Sequence, residues 1–224
     1  MSAPTPRTPT GRPRTLAPGE SIHLSSGNHP SPDASDEFSY TVIALSGTRF
    51  DLTAQVEYSD GYTEIVRSGP RARNEYNSRS VDGAVRHVAY YDWVSPANPY
   101  EHEEIIRLNF HSGVRRVALV LHIPDCSDKP RERQFAVHIM SGNQVTIEAS
   151  TCRHYVVETV ETVDHPGSNR HLMAVIHQDR ALRLEAPGLR CTDPNLPLDF
   201  IDGVATFGYI PDGGAAEEAE ESTS

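Results

Sequence analysis

The sequence predicts an all-β fold, an antiparallel β-sandwich of about eight to ten short strands. Apolar residues recur with a period of two, as at Val145, Ile147 and Ala149, whereas a helix needs a period of roughly 3.6. Runs rich in β-branched and aromatic residues alternate with turn signals along most of the chain. No convincing amphipathic helix pattern occurs between residues 19 and 210, so we expect two packed sheets.

Two strands, 144–149 and 182–185, are predicted from alternating apolar and polar residues, and the others are short runs rich in β-branched or aromatic residues. In chain order these runs are 39–45, 50–58, 63–66, 104–110, 116–123, 134–140, 144–149, 154–160, 172–176 and 182–185. Turn signals between them are Ser46-Gly47, Asp60-Gly61, Asp82-Gly83, His111-Ser112-Gly113, Ser141-Gly142-Asn143 and Pro166-Gly167-Ser168-Asn169. Asp60-Gly61 is the sharpest hairpin signal, because an Asp-Gly pair readily adopts the positive φ angles of a tight turn between strands.

The predicted domain organisation is one folded domain between two tails. The chain has 224 residues, which is enough for a single buried core. Residues 1–18 are rich in proline and arginine and predict a disordered arm, because ordering them would cost entropy without burying apolar surface. Residues 19–210 are predicted to form the sandwich domain, and residues 211–224 an acidic disordered tail.

Charge and cysteine content exclude several classes of protein. Acidic residues outnumber basic ones by 31 to 20, and the formal net charge of −11 opposes binding to nucleic acid. We expect no membrane insertion and no export, because the chain lacks an uninterrupted apolar run of about 18 residues and a leader-like start. Cys126, Cys152 and Cys191 are odd in number and widely spaced, which favours a reducing cytoplasm over a disulfide framework.

Acidic residues near predicted strand ends are the main candidates for chemistry, since the chain has no nucleophile elbow, phosphate loop or dinucleotide fingerprint that would indicate an enzyme. Asp51 opens one strand, and Asp92 precedes Glu101, Glu103 and Glu104 at the start of another. Loop carboxylates at strand ends are typical calcium ligands. The alternative is that the glutamates form a solvated edge that discourages strand aggregation.

The order of several short motifs resembles the TerD family of tellurium-resistance and stress-response proteins. The motifs are 15–24 (TLAPGESIHL), 50–54 (FDLTA), Asp60-Gly61, Tyr76-Asn77, 82–87 (DGAVRH), Asp92, 102–105 (HEEI), the apolar strand 117–123 and the late strand pair within 172–188. They are similar in order and spacing to the family's elements, although Pro18 stands in place of a lysine. The resemblance covers roughly residues 15 to 190.

The resemblance implies a calcium-binding β-sandwich without established catalysis, acting in a bacterial cytoplasm with other proteins of a stress-response system. By correspondence, Asp51, Asp92 and Glu103 become calcium-ligand candidates, and Glu104 a weaker one. Thr53 replaces the family's second aspartate, and residues 93–100 (WVSPANPY) replace a loop rich in glycine and aspartate. Because a divalent site needs carboxylate charge to offset dehydration, we expect calcium binding to be weak or lost.

Two alternatives use the same chain differently. His102 and Glu104, with a distant histidine such as His138, His154 or His177, could form the two-histidine, one-carboxylate iron site of a double-stranded β-helix oxygenase. The other alternative is a protein-binding sandwich without metal, which presents an edge or a face to its partner.

Overall fold

All regular structure described for this chain is β-strand. The computed structural model describes residues 13–24, 38–47, 50–67, 78–92, 102–123, 132–141, 154–162, 169–178, 182–193 and 196–208. The strands are β1 (Arg14–Leu16), β2 (Ser21–His23), β3 (Phe38–Ser46), β4 (Asp51–Tyr58), β5 (Thr63–Arg67), β6 (Val85–Asp92), β7 (His102–Phe110), β8 (Val114–Ile123), β9 (Glu132–Ser141), β10 (His154–Thr162), β11 (Asn169–Gln178), β12 (Leu182–Glu185), β13 (Leu189–Cys191), β14 (Leu198–Ile201) and β15 (Val204–Phe207). The predicted strand 144–149, the loop 93–100 and the tail 211–224 lie outside the described residues.

Two sheets face each other around one core. The first sheet has the strand order β1-β10-β9-β3-β7-β6, and the second has β2-β12-β11-β8-β4-β5, with β13 also beside β11. Neighbouring strands are antiparallel except β1, which runs parallel to β10. Val137 and Ile139 of the first sheet join Leu119 and Leu121 of the second in the same buried cluster. The predicted all-β sandwich is confirmed.

The period-two pattern of the sequence decides which side chains enter the core. In β4, Leu52, Ala54 and Val56 are fully buried between the sheets. Thr53 and Gln55 alternate with them and are only partly buried, so they lie on the outer face of the second sheet. Each strand therefore presents one face to the core and one outward, which matters for where candidate ligands point.

The chain passes from the first sheet to the second near its start. Leu16 of β1 and Ile22 of β2 are buried in the shared core, one from each sheet. Gly19 makes the turn between them with a φ of 83°, and its N–H donates to the Ala186 carbonyl at 2.7 Å. Residues 14–16, which the sequence analysis assigned to the disordered arm, are thus a strand, because Leu16 has apolar surface to bury and β10 offers backbone partners.

A hairpin that the sequence analysis omitted covers the outer face of the second sheet. Its strands, β14 and β15, are joined by Asp202 and Gly203, whose φ angles of 49° and 86° match a two-residue hairpin turn. Leu198 and Ala205 pack against apolar residues of β8 and β11. Arg116 also lies 4.9 Å from the centre of the Phe200 ring.

One long strand of the structure, β6, is absent from the predicted strands. It lies at the edge of the first sheet and pairs with β7 through an irregular register between His87 and Ala89. That bulge interrupts the period-two pattern, so periodicity alone does not identify this strand. The other additional strands, β1, β2, β13, β14 and β15, have only three or four residues each.

Candidate functional site

The four predicted calcium ligands lie on strand termini at one end of the sandwich, called here the first end. Asp51 begins β4 of the second sheet and stands opposite His122 of β8. Asp92 ends β6 of the first sheet, and its backbone pairs with that of His102. Glu103 and Glu104 follow His102 at the start of β7. The fold therefore brings these distant parts of the chain to the same end.

The side chains of Asp51, Glu103 and Glu104 nevertheless point to three different places. Glu104 is fully buried between the sheets. Asp51 precedes the buried Leu52 and so faces the outer side of the second sheet. Glu103 shares the outer face of the first sheet with Ile105, where burial raises the pKa of its carboxyl group. These three carboxylates do not converge on one ion.

A complete metal site is not found among the described side chains. No group of three or more His, Cys, Asp and Glu residues in the described ranges is arranged to hold a metal ion. The side chain of Asp92 lies outside the described part of the structure. The calcium site of Asp51, Asp92, Glu103 and Glu104 therefore stays a prediction, and the positions of Asp51, Glu103 and Glu104 lend it no support.

Glu104 connects the two sheets from inside. One of its carboxylate oxygens accepts a hydrogen bond of 2.8 Å from the Leu52 backbone N–H of the opposite sheet. The other lies 3.4 Å from His102 Nε2, and the His102 ring meets the Phe50 ring edge-on at 4.6 Å. Glu104 is therefore an internal group, and the reading of this glutamate as part of a solvated edge is wrong. Glu101 lies outside the described residues.

The histidines of the iron alternative are also apart from His102 and Glu104. His138 and His154 lie on the outer face of the first sheet, where their ring nitrogens are 2.8 Å from each other. His177 lies on the outer face of the second sheet, with Nε2 3.0 Å from Glu185. Because both outer faces are separated from the core by a sheet, none of these three histidines completes a site with Glu104.

The opposite end, called here the second end, brings three turns together. They are the β4–β5 turn at 59–62, the segment 78–84 before β6, and the β7–β8 turn at 111–113. The Ser59 N–H donates to the Gly113 carbonyl at 2.9 Å. Each of the three segments contains a turn signal in the sequence, but no local pattern in them predicts a function.

Five polar side chains from these turns and the adjacent strands form a hydrogen-bonded group, called here the Tyr58 cluster. Its members are Tyr58, Glu64, Ser80, Asp82 and His111. The Tyr58 hydroxyl contacts a carboxylate oxygen of Glu64 and lies 3.0 Å from Asp82 Oδ1. Ser80 donates to the same Asp82 oxygen at 2.7 Å, and His111 Nε2 lies 2.6 Å from the other one.

Hydrogen bonds and burial shift the pKa values of two members of the cluster. Gly113 N–H donates to His111 Nδ1 at 3.1 Å, which leaves Nε2 to donate to Asp82. Burial would raise the pKa of Asp82, but hydrogen bonds from Ala84 N–H, Ser80, Tyr58 and His111 outweigh it, and the pKa is lowered. Burial, and next the hydrogen bond to Glu64, raise the pKa of Tyr58 far above its ordinary value. Tyr58 therefore remains a donor.

An exposed aromatic surface lies beside this cluster. The Tyr62 ring stacks on the Tyr58 ring at 5.8 Å with an interplanar angle of 21°, yet Tyr62 is 55% exposed. Val81 is 87% exposed, and its N–H donates to the Glu64 carboxylate at 3.1 and 3.2 Å. Tyr62 is thus connected to Glu64 through Tyr58, and Val81 contacts Glu64 directly. These two exposed residues are called here the Tyr62 surface.

Comparisons with known proteins add no family to these observations. No protein-family model matches the chain, and no curated protein matches it. The resemblance to TerD therefore depends on the sequence motifs alone. Within the described ranges, no helix has the length and apolar character needed to cross a membrane.

Proposed function

We propose that this protein is a non-enzymatic protein-binding module whose sandwich presents the Tyr62 surface to a partner protein. The observation that carries the proposal is the exposure of Tyr62 and Val81, which are both connected to Glu64, Tyr62 through the stacked Tyr58 ring and Val81 through its backbone N–H. Tyrosine is enriched in protein interfaces, because it offers a large amphipathic contact area at a low cost in side-chain entropy. The exposed side chain of Val81 adds apolar area that a partner would bury.

Hydrogen bonds around the Tyr62 surface hold it in place, which favours binding. Asp60 Oδ1 accepts the Tyr62 N–H at 2.9 Å, and the Tyr58 cluster ties the neighbouring segment 78–84 to β4 and β5. A surface that is held in place loses less conformational freedom on association, so more of the contact energy appears as affinity.

The proposal places the module in a stress-response system of the TerD type. Its support is the ordered set of motifs between residues 15 and 190. A reducing compartment such as the bacterial cytoplasm is part of the proposal, and the buried, unpaired thiol of Cys191 is compatible with it. Calcium, expected to bind weakly or not at all, has no role in the proposed contact.

Site-specific photo-crosslinking in the native host tests the proposal. A photoreactive phenylalanine analogue is placed at Tyr62 or, as a control, at Val204, which is 60% exposed on the hairpin tip. We expect a discrete adduct from position 62 only, and we expect excess unlabelled wild-type protein to compete it away while Val81→Asp protein does not. Adducts of equal yield from both positions, or none from position 62, would overturn the proposal.

A further inference from the structure

We propose that the partner contributes an arginine side chain, which stacks on the exposed ring of Tyr62 and donates to the carboxylates of Glu64 and Asp82. The inference rests on the proposed function, because it concerns the same surface. It adds the chemistry of the partner: a segment with an arginine next to an apolar residue that contacts Val81.

Glu64 and Asp82 give the Tyr58 cluster two carboxylate groups. Glu64 and Asp82 both contact the hydroxyl of Tyr58, which has one proton and can serve only one of them at a time. The His111 ring contacts Asp82, whereas the Glu64 carboxylate contacts only Tyr58 and the Val81 N–H among the described residues. In the described part of the chain, no Lys or Arg side chain forms an ion pair with either carboxylate.

The ring of Tyr62 lies next to this cluster, because it stacks on Tyr58. One face of Tyr62 is stacked on Tyr58, and more than half of the residue is exposed. Glu64 contacts the hydroxyl of Tyr58, the ring on which Tyr62 stacks, so a carboxylate and an exposed aromatic residue both contact Tyr58. A guanidinium group is suited to this combination, because it can stack on an aromatic face while its edge N–H groups donate to carboxylates.

The carboxylates of the cluster suit an arginine side chain better than other cations. Asp82 Oδ2 and Glu64 Oε2 each have one hydrogen-bond partner among the described residues and can accept another. A planar fork of five N–H donors matches two such acceptors better than an ammonium point charge. A bare divalent ion would need a ligand set that the described residues do not assemble. The net charge of −11 further favours a basic partner over an acidic one.

The test uses the isotope-labelled full chain and an acetylated Gly-Val-Arg-Val-Gly peptide amide, titrated by NMR at physiological ionic strength. Two matched peptides carry citrulline, which is neutral with nearly the same shape, or lysine. We expect the arginine peptide to shift the amide signals of Tyr62 and Val81. We expect about tenfold weaker binding for citrulline, since the charge-assisted hydrogen bonds are lost, and about threefold weaker binding for lysine.

Variants separate this contact from general attraction to an acidic protein. Glu64→Gln keeps the hydrogen-bond geometry but removes a charge, and should weaken the arginine peptide about fivefold. Glu158→Gln removes the same charge from an exposed position on β10 and should change affinity less than about twofold. Tyr62→Phe keeps the π face and should bind about as well as wild type, whereas Tyr62→Leu should bind several-fold more weakly.

Two results would overturn the inference: equal effects of Glu64→Gln and Glu158→Gln, or equal binding of the arginine and citrulline peptides. Thermal midpoints of all variants identify any that misfold. The comparison of Tyr62→Phe with Tyr62→Leu provides a readout that does not depend on Glu64. If position 62 crosslinks to a partner while the peptides show no charge dependence, the protein-binding function stands and the arginine contact is wrong. If crosslinking itself fails, both fall.

Discussion

Glu104 is the residue whose position differs most from its sequence context. It stands among three consecutive polar residues at the start of a strand, yet its side chain is fully buried. A buried carboxylate is tolerated only where hydrogen bonds replace those with water. The Leu52 N–H provides one at 2.8 Å, and because Leu52 belongs to the opposite sheet, the bond also joins the two layers.

Replacement of Glu104 by alanine should therefore destabilise the fold. We expect a loss of about 2–4 kcal/mol in the free energy of unfolding, from the loss of a buried hydrogen bond and from a cavity. Glu104→Gln, which keeps an acceptor, should cost less than half of that. Urea unfolding measures both, with Glu103→Ala on the outer face as the control. Similar losses for the two alanine variants would show that the internal bond contributes little.

His138 and His154 predict a dependence of stability on pH. Burial, with the neighbouring His154, lowers the pKa of His138 to about 4 from its ordinary value of 6.5. Burial also lowers the pKa of His154. The unfolded chain takes up protons at these rings at a higher pH than the folded chain does, so stability is full above pH 6.5 and falls as the pH drops from there towards 4.

Urea midpoints measured between pH 7.5 and pH 4 test this dependence. We expect the midpoint of the wild-type protein to fall over that range, and His138→Gln to flatten the upper part of the curve, where carboxylates do not yet titrate. His23→Gln changes an exposed ring and serves as the control. An unchanged slope in the His138 variant would assign the pH dependence to other groups.

At the scale of elements, the hairpin of β14 and β15 depends on its turn. Gly203 has a φ of 86°, a region that side chains with a branched Cβ rarely adopt. A hydrogen bond from the second sheet also holds the hairpin, since Gln55 Nε2 of β4 donates to the Leu198 carbonyl at 2.7 Å. The turn and this hydrogen bond together stabilise a two-stranded ribbon that would be only marginally stable alone.

Gly203→Val should loosen this hairpin without unfolding the sandwich. We expect a cost of about 1–2 kcal/mol from the strained turn, confined to residues 198–207. Hydrogen exchange of the amides in β14 and β15 should quicken, while that of β8 and β4 stays unchanged. Thr206→Ala, on the outward side of the same hairpin, is the control. Faster exchange throughout the sandwich would show that the hairpin is part of the cooperative core.

The elements show what local sequence can predict. The sequence predicts β4 because its eight residues reveal a period of two, and it predicts β8 because 116–123 is a long run rich in β-branched residues. Strands of three residues, such as β1 and β2, show no period and exist because their apolar side chains reach the core. The hairpin of β14 and β15 had a usable signal, Asp202-Gly203 between two apolar runs.

The candidate site was harder to predict than the strands. Tyr58, Asp82 and His111 are far apart in sequence, and only the pairing of β4 with β8 and of β6 with β7 brings their turns together. Likewise, Asp51 and Glu103 face opposite outer surfaces because they lie in different sheets, and no local pattern predicts that assignment. Strand termini could be predicted to meet, whereas the direction of each side chain depends on sheet order.

For the whole molecule, calcium should have little effect. Of the predicted ligands, Asp51, Glu103 and Glu104 are directed apart, so we expect millimolar calcium to raise the thermal midpoint by less than about 2 °C. Calorimetry with calcium and with chelator measures this directly. A rise of several degrees that Asp92→Asn abolishes would reveal a site built around Asp92 and contradict the expectation.

The passage of the chain through Gly19 has a consequence for handling the protein. β1 and β2 are the outermost strands of two different sheets on the same side, so a single proteolytic cut that released residues 1–24 would strip both layers at once. The backbone N–H and C=O groups of β10 and β12 would then be exposed and could pair with strands of other molecules. Proteolytic removal of residues 1–24 should therefore cause the protein to aggregate.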